Sequence, residues 1–369
     1  MARVLPIGLD VGSATVRMLQ LAGSDRDLRA VEAAKFVVPE EAKKDPHTRH
    51  QAIVEGIRRV LRDRRFRRRE SVMVLPGDQL AVRNVRMPKM PDEELATAVN
   101  WEAQNKFPFD TATAVIQYLR AGEVPQGDQL LDEVILFAVP RAEVDRHTQL
   151  AREAGLEVVS LDAECCAVFR GFERFLRRRE DENVVSAFVD IGARTTVVMA
   201  RGREIVFVKA IPIGGAVFNR AVAECLELSV TEAQALRRRL ARRNRDEVEK
   251  SEQSEQIRRA VGDAIRLHLE DLANEIGLCL RYYGVTFRGG QPAKIVFTGG
   301  EAHDPAIPAA LADRLEIEAE IGDPFRTVRT DQLGPVLDRR ACRGEWATAF
   351  GLSLKGLHLE DSLQRGCAA

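Results

Sequence analysis

Long hydrophobic runs are missing from this sequence, although 45% of its residues are hydrophobic. No apolar stretch approaches the roughly 18 residues that a bilayer-spanning helix needs, and Asp10 cuts the N-terminal run before it reaches the length of a signal-peptide core. The sequence therefore predicts a cytoplasmic protein without direct membrane insertion, peripheral to a membrane only through a partner. An excess of charge of either sign is also missing. Lys+Arg 55 against Asp+Glu 56 leaves a net charge of -1, which gives no global pull toward nucleic acid or acidic lipid. Cysteine pairs at metal-site spacing are absent too. Cys165, Cys166, Cys225, Cys279, Cys342 and Cys367 show no C-x-x-C and no companion histidine cluster, which excludes a zinc framework and fits reduced thiols.

What is present is one motif used twice. Ile7-Gly-Leu-Asp10-Val-Gly12-Ser13-Ala14-Thr15-Val-Arg17 and Phe188-Val-Asp190-Ile-Gly192-Ala193-Arg194-Thr195-Thr196-Val superpose Asp10 on Asp190, Gly12 on Gly192 and Thr15 on Thr195. Each copy reads as strand, hairpin turn, strand. The glycine lets turn N–H groups converge into an anion-binding nest, and the aspartate at the strand end can hold the water shell of a Mg²⁺. Two such hairpins face to face would grip a polyphosphate. A third segment, Lys294-Ile-Val-Phe-Thr298-Gly299-Gly300-Glu301, ends a buried strand in paired glycines and suits close approach to a base and ribose.

Between these motifs the pattern shifts. Ile53, Val54, Ile57, Val60 and Leu61 mark one face of a helix. The run Arg62, Arg64, Arg65, Arg67, Arg68 and Arg69 at its end reads either as a solvated terminus or as an interaction patch. From Val72 to about Leu161 a small α+β unit is expected: strands Val72–Leu75, Ala81–Met87, Ala114–Arg120 and Glu133–Pro140, a helix with Asp92 as N-cap and Leu95, Ala98, Val99 and Ala103 buried, and a helix from Arg141 closed by Gly155. Further on, Ser229-Val-Thr-Glu232 is a capping box. The polar stretch from Arg242 to Gln256 predicts a connection, and Ile257 to Leu280 a long helix ending at Gly284.

In order and spacing, the three glycine segments resemble those of the actin-like ATPase superfamily. Trp101-Glu102-Ala103 with Phe107-Pro108-Phe109, Ile211-Pro-Ile-Gly214-Gly215, Leu226 to Arg237, Asp323-Pro324-Phe325 and Ala349-Phe350-Gly351-Leu352 narrow the resemblance to PilM-type type IV pilus assembly proteins, relatives of the cell-division protein FtsA. This resemblance implies an α/β fold: a two-lobed, duplicated ribonuclease H-like ATPase with a small α+β subdomain inserted in the first lobe and a helical insertion in the second. The expected division is 1–70 for the first lobe, completed by 163–181 and 342–369, and 71–162 for the inserted subdomain. The second-lobe core would be 182–216, completed by 291–341, with 217–290 helical.

The resemblance also implies ATP and Mg²⁺ as ligands. Asp10 and Asp190 would hold Mg²⁺ through water, and Gly12, Ser13 and Ala14, with Gly192, Ala193, Arg194 and Thr195, would cradle phosphates. Gly214 and Gly215 would start a helix facing them, Glu232 would approach the ribose, and Gly299, Gly300 and Glu301 the adenosine. Glu232 can also be a plain helix cap. Arg17 stands where lysine is common in the family, which makes hydrolysis less expected than binding. Asp162 and Glu164 are candidates for activating water, or caps of the following helix.

The partner implied is the short cytoplasmic N-terminal tail of a PilN-like inner-membrane protein, lying between the first lobe and the inserted subdomain, alongside other pilus assembly components. No nucleic acid is implied, and a homo-oligomer stays open. The rival readings are an FtsA-like filament former held at the membrane by a C-terminal amphipathic helix, or a phosphotransferase. The tail from Gly356 to Ala369, with Glu360 and Asp361 among its apolar residues, suits such a helix poorly.

Overall fold

The structure, a computed structural model, describes residues 3–24, 27–104, 106–246, 252–287, 289–292, 294–330, 333 and 343–357. The C-terminal tail beyond residue 357 lies outside the described residues, and so does the middle of the polar stretch, 247–251.

The first lobe begins with β1 (Val4–Val11), β2 (Thr15–Ser24) and β3 (Asp27–Val37), an antiparallel meander in which β1 and most of β2 are buried on both faces while the outer strand β3 is partly exposed. Short helix α1 (Glu40–Lys43) leads to α2 (Pro46–Asp63). The start of α2 follows from its sequence: the Asp45 side chain accepts from the Thr48 N–H at 2.7 Å, and Pro46 occupies the first turn, where no amide donor is needed. Its stripe Ile53, Val54, Ile57 and Leu61 packs on the sheet. Strand β4 (Glu70–Leu75) then pairs in parallel with β1.

The chain now leaves the lobe to form β5 (Ala81–Pro88), α3 (Asp92–Ala103), β6 (Ala114–Gln126) and β7 (Gln129–Pro140), a three-stranded sheet in the order β5-β7-β6. It returns through α4 (Arg141–Glu153) and β8 (Glu157–Ala163), followed by α5 (Glu164–Glu173). Because β4 and β8 complete the order β3-β2-β1-β4-β8, and Leu150, Ala151 and Ala154 of α4 share a core with Ile53 and Ile57, the inserted unit is narrower than 71–162. It comprises 76–140. A run of four short strands on both sides of a helix is locally indistinguishable from one unit, and only parallel pairing assigns β4 to its sheet. The strand at Glu157–Ala163 was not expected at all; half-exposed on one face, it alternates too weakly to stand out.

The second lobe repeats the plan. β9 (Val185–Ile191), β10 (Thr195–Arg201) and β11 (Glu204–Ile211) form the meander, and α6 (Gly215–Cys225), α7 (Val230–Asp246) and α8 (Glu252–Phe287) form the helical insertion. Then β12 (Lys294–Thr298), α9 (Ala306–Leu315) and β13 (Glu318–Ile321) close the sheet as β11-β10-β9-β12-β13, the same order as in the first lobe. Helices reach Asp246 and resume at Glu252, so most of the polar stretch expected as a connection is helical, and α8 continues past Gly284 to Phe287. Asp92 is the first helical residue of α3, not its cap; Pro91 holds that position.

The last helix, α10 (Ala347–Lys355), recrosses to the first lobe and lies on β1 with almost every residue buried. Its approach is fixed by backbone contact at Gly8, where a Cβ would stand 2.0 Å from the Ala349 carbonyl oxygen and 2.7 Å from the Ser353 nitrogen. Gly8→Ala is expected to cost on the order of 3 kcal/mol by overpacking. Urea unfolding should show the midpoint falling with an unchanged slope; an unaltered midpoint would mean that α10 is not seated on β1.

Candidate functional site

The two meanders point their first turns at each other across a cleft of about 850 Å³ between the lobes. In each turn the glycine N–H makes the closing bond, but to different positions: Gly12 N–H donates to Thr15 O, three residues on, at 3.1 Å, and Gly192 N–H to Arg194 O, two residues on, at 2.9 Å. Asp10, Gly12, Ser13, Ala14 and Arg17 line one wall, and Asp190, Gly192, Ala193 and Arg194 the other. Gly299, Gly300 and Glu301 complete the lining from the end of β12. Gly299 has φ +91°, and a Cβ there would meet the Ile191 backbone at 2.5 Å, so no other residue fits that turn. The sequence motifs therefore come together as expected.

Of the acidic side chains that line this cleft, Asp10, Asp190 and Glu164 are the three whose carboxyls are pushed up. Burial raises Asp190 to about 6, with Asp10 adding to the rise and the Thr298 hydroxyl, which donates to Asp190 Oδ1 at 2.7 Å, working against it. Glu164 is pushed up to about 8 by burial and then by the charges of Asp190 and Asp10, although its Oε2 accepts from the Gly77 N–H at 3.2 Å. Asp10 is raised by burial, which outweighs the pull of Arg17. The Arg17 guanidinium bridges Asp10 Oδ2 at 3.2 Å and Glu345 Oε2 at 3.0 Å, and Lys35 meets the same Glu345 oxygen at 2.6 Å. Against its burial, Glu345 is held below the usual carboxylate range by Arg17 and Lys35.

Glu345 escaped the sequence reading because it carries no motif: it precedes α10 by two residues and reaches the cleft only through the crossing of that helix. Arg49 was missed likewise. It sits on α2 and donates to the Gly12 carbonyl at 2.9 Å, bracing the first hairpin.

Several expected residues land elsewhere. Asp162 is absent from the cleft wall; it accepts from Arg170 at 2.5 Å and pairs with Lys355 at 3.4 Å, which ties β8 to α5 and α10. Neither Asp162 nor Glu164 caps α5, whose N-cap is Ala163 with no side-chain bond. Glu232 turns away from the cleft to the Ser229 N–H at 2.9 Å and hydroxyl at 2.7 Å, the capping-box geometry, while Thr231 and Gln234 of the same helix line the wall. The Thr195 hydroxyl donates to Ile213 O at 2.7 Å. At the start of α6, Gly215 N–H donates to Gly192 O at 2.9 Å and Ala216 N–H to Ala193 O at 3.1 Å, so these amides hold the second hairpin in place. A Cβ at Gly215 would strike the Glu301 carboxylate, so a larger residue there would displace the Glu301–Arg237 pair.

A metal fits this donor set in one way. Among the described residues no three acidic, cysteine or histidine side chains form a direct cage. Two buried carboxylates on opposite walls suit a Mg²⁺ that keeps most of its waters, and Asp10 and Asp190 would hold it.

The carboxyl groups also set a pH dependence. Their folded-state pKa values lie above the unfolded ones, so the folded protein holds protons that the unfolded chain releases. The corresponding stability is full below the ordinary carboxylate range and is lost as pH rises through about 6 for Asp190 and about 8 for Glu164. The melting temperature of the ligand-free protein should fall over this window, and Glu164→Gln should flatten its upper half. A melting temperature that climbs there in the wild type would show that the groups are ionised in the empty cleft.

Among solved structures, the fold is similar to that of a PilM-PilN type IV pilus biogenesis complex, with a TM-score of 0.79 and 24% identity over 96% of this chain and 99% of that chain. It is also similar to the ethanolamine utilization protein EutJ from Carboxydothermus hydrogenoformans, with a TM-score of 0.54 and 16% identity over 95% of this chain and 89% of that one. Both likenesses establish a two-lobed actin-like α/β fold. A search of curated proteins finds no match. The sequence profile of the type IV pilus assembly protein PilM matches residues 8–357, and the chain belongs to that family.

Proposed function

We propose that this type IV pilus assembly protein is an ATP-binding platform whose two lobes close on Mg²⁺·ATP, and that it is held at the inner membrane by the short cytoplasmic tail of a PilN-like partner. The observation that carries the first part is the facing pair of hairpins around one cleft, with an acidic residue and a turn of small residues on each side. Bound Mg²⁺ would supply charge neutralisation to the phosphates. The chain's own contribution is to hold it and to aim the turns: Asp10 and Asp190 take the metal's water shell, and the turns at Ser13 to Ala14 and Ala193 to Arg194 offer main-chain donors to phosphate oxygens, the Gly12 and Gly192 N–H groups being used to close them. Arg17, held between Asp10 and Glu345, brings a guanidinium charge to the cleft wall beside the first turn.

Turnover is slow on this reading. A carboxyl with a pKa of about 8 is mostly protonated at neutral pH, so Glu164 in the ligand-free cleft is a poor base, and Asp162 is engaged by Arg170. The platform acts by nucleotide-dependent closure, each state differing in its affinity for partners.

For the partner tail, α3 offers the anchor. Leu95, Val99 and Ala103 bury its inner face, while Trp101 is 71% exposed on the outer one; Phe107 and Phe109, which follow the helix in sequence, stack on each other at 5.7 Å. Exposed tryptophans carry interfaces out of proportion to their number. The solved relative bears PilN in its name, which supports the same class of partner here.

Two measurements test this. Asp190→Ala should lose Mg²⁺-dependent ATP binding in calorimetry while the circular dichroism spectrum stays unchanged; equal affinity in the variant would remove the metal role. Excising the whole insert is a poor test, since Leu80, Ile135 and Phe137 share a core with Phe188 and Val198 of the second lobe. Trp101→Ala is the cleaner one: capture of a PilN-tail peptide should weaken roughly tenfold or more with ATP binding intact, and unchanged capture would place the tail elsewhere.

A further inference from the structure

The outer strand of the second lobe ends its sheet. Among the described residues β13 pairs only with β12, in parallel from Lys294↔Glu318 to Phe297↔Ile321, so its other edge has main-chain groups without a strand partner. Beside that edge a second cavity, of about 660 Å³, runs between β13 and α9, remote in sequence from every nucleotide motif except the β12 loop. It exists because α9 presents small side chains there: Ala309 and Ala312 leave room that a leucine would fill. Ile317, Ala319 and the 45% exposed Ile321 make the opposing wall apolar.

Its charge is of one sign. Asp313, Glu316, Glu318 and Glu320 line the groove with no basic residue among the lining. Glu320 pairs with Lys294 at 2.8 Å, whereas Asp313, Glu316 and Glu318 have no ion pair among the described residues. Carboxylates along an open edge repel acidic strands and would be buried without a counter-charge under neutral ones, which protects the protein from edge-to-edge aggregation. The same charges select what can still bind. A strand with lysine or arginine at alternate positions meets them favourably, while its intervening apolar side chains enter the alanine-floored groove.

We propose that the groove between α9 and β13 is a docking site for an extended cationic segment of a partner protein, which adds to β13 as a further strand. This site is separate from the interlobe cleft and does not depend on nucleotide. Main-chain pairing supplies the affinity and the acidic rim the selection, so binding weakens as salt screens the rim.

The test uses the full chain and a fluorescein-labelled peptide alternating valine with lysine, read by fluorescence polarisation. Saturable binding that weakens with salt is expected, and a valine–glutamate analogue should not bind. Strand addition has a further signature: N-methylation of one alternating set of peptide amides should abolish binding, and methylation of the other set should leave it. The double variant Asp313→Lys with Glu318→Lys, both on exposed side chains, should bind the lysine peptide at least about tenfold more weakly while keeping its circular dichroism spectrum. Equal binding of the glutamate analogue, survival of both methylated peptides, or unchanged affinity in a folded double variant would each overturn the proposal.

Discussion

Buried carboxyl groups gathered at the interlobe cleft are the constraint around which this molecule is arranged. Asp10 and Asp190 sit at equivalent positions of duplicated hairpins, so closing the two lobes on one another brings like charges together out of water. The structure compensates locally. Thr298 from the neighbouring strand donates to Asp190, Gly77 from the turn after β4 donates to Glu164, and Arg17 faces Asp10 across the first hairpin. Arg17 is in turn kept in place by Glu345, which arrives from the far end of the chain. Protonation of Glu164 relieves part of the residual repulsion at neutral pH, and on the proposed reading a hydrated cation would relieve the rest. The cleft is therefore poorly satisfied alone, and that is a physical reason for it to bind a metal–polyphosphate.

The parts of the site that were legible in the sequence are those written in backbone chemistry. An aspartate at a strand end followed by glycine, repeated in register, announces a hairpin whose geometry hardly depends on the rest of the fold, and Asp10, Gly12, Asp190, Gly192 and Gly299 all fall where the motif put them. Side-chain roles were less legible. Glu232 satisfied both a capping box and a ribose contact on paper, and the local hydrogen bond to Ser229 decided its orientation. Asp162 and Glu164 are two residues apart, yet the end of a strand and the start of a helix send one to Arg170 and the other to the cleft. Glu345 and Arg49 had no signal because their importance comes only from tertiary crossing. The insert's limits were misjudged for a related reason: which sheet a short apolar strand joins is a long-range choice, and β4 is indistinguishable from β5 until its parallel neighbour is known.

The insert's position links the interlobe cleft to the surface proposed for a partner tail. Covalently it belongs to the first lobe, leaving after Leu75 and returning at Arg141, but its sheet packs on the second. Asn84 donates to the Val208 carbonyl at 3.0 Å, Arg86 reaches Thr286 at 3.3 Å, and the Tyr282 hydroxyl donates to Glu133 at 2.9 Å. Glu133 is almost fully buried, so withdrawing Arg86 and Tyr282 from it would leave a charge without compensation. A rotation of the lobes about the cleft must then either carry the insert with the second lobe, straining its two connections to the first, or slide it along β11 and break those bonds. Packed interfaces resist intermediate positions and favour discrete ones. A ligand that fixed the lobes would thus fix the insert, and on the proposed reading a peptide held on the insert would sense that ligand without touching it. By linkage the influence runs both ways: a tail that prefers one insert position alters the affinity of the cleft by the same factor.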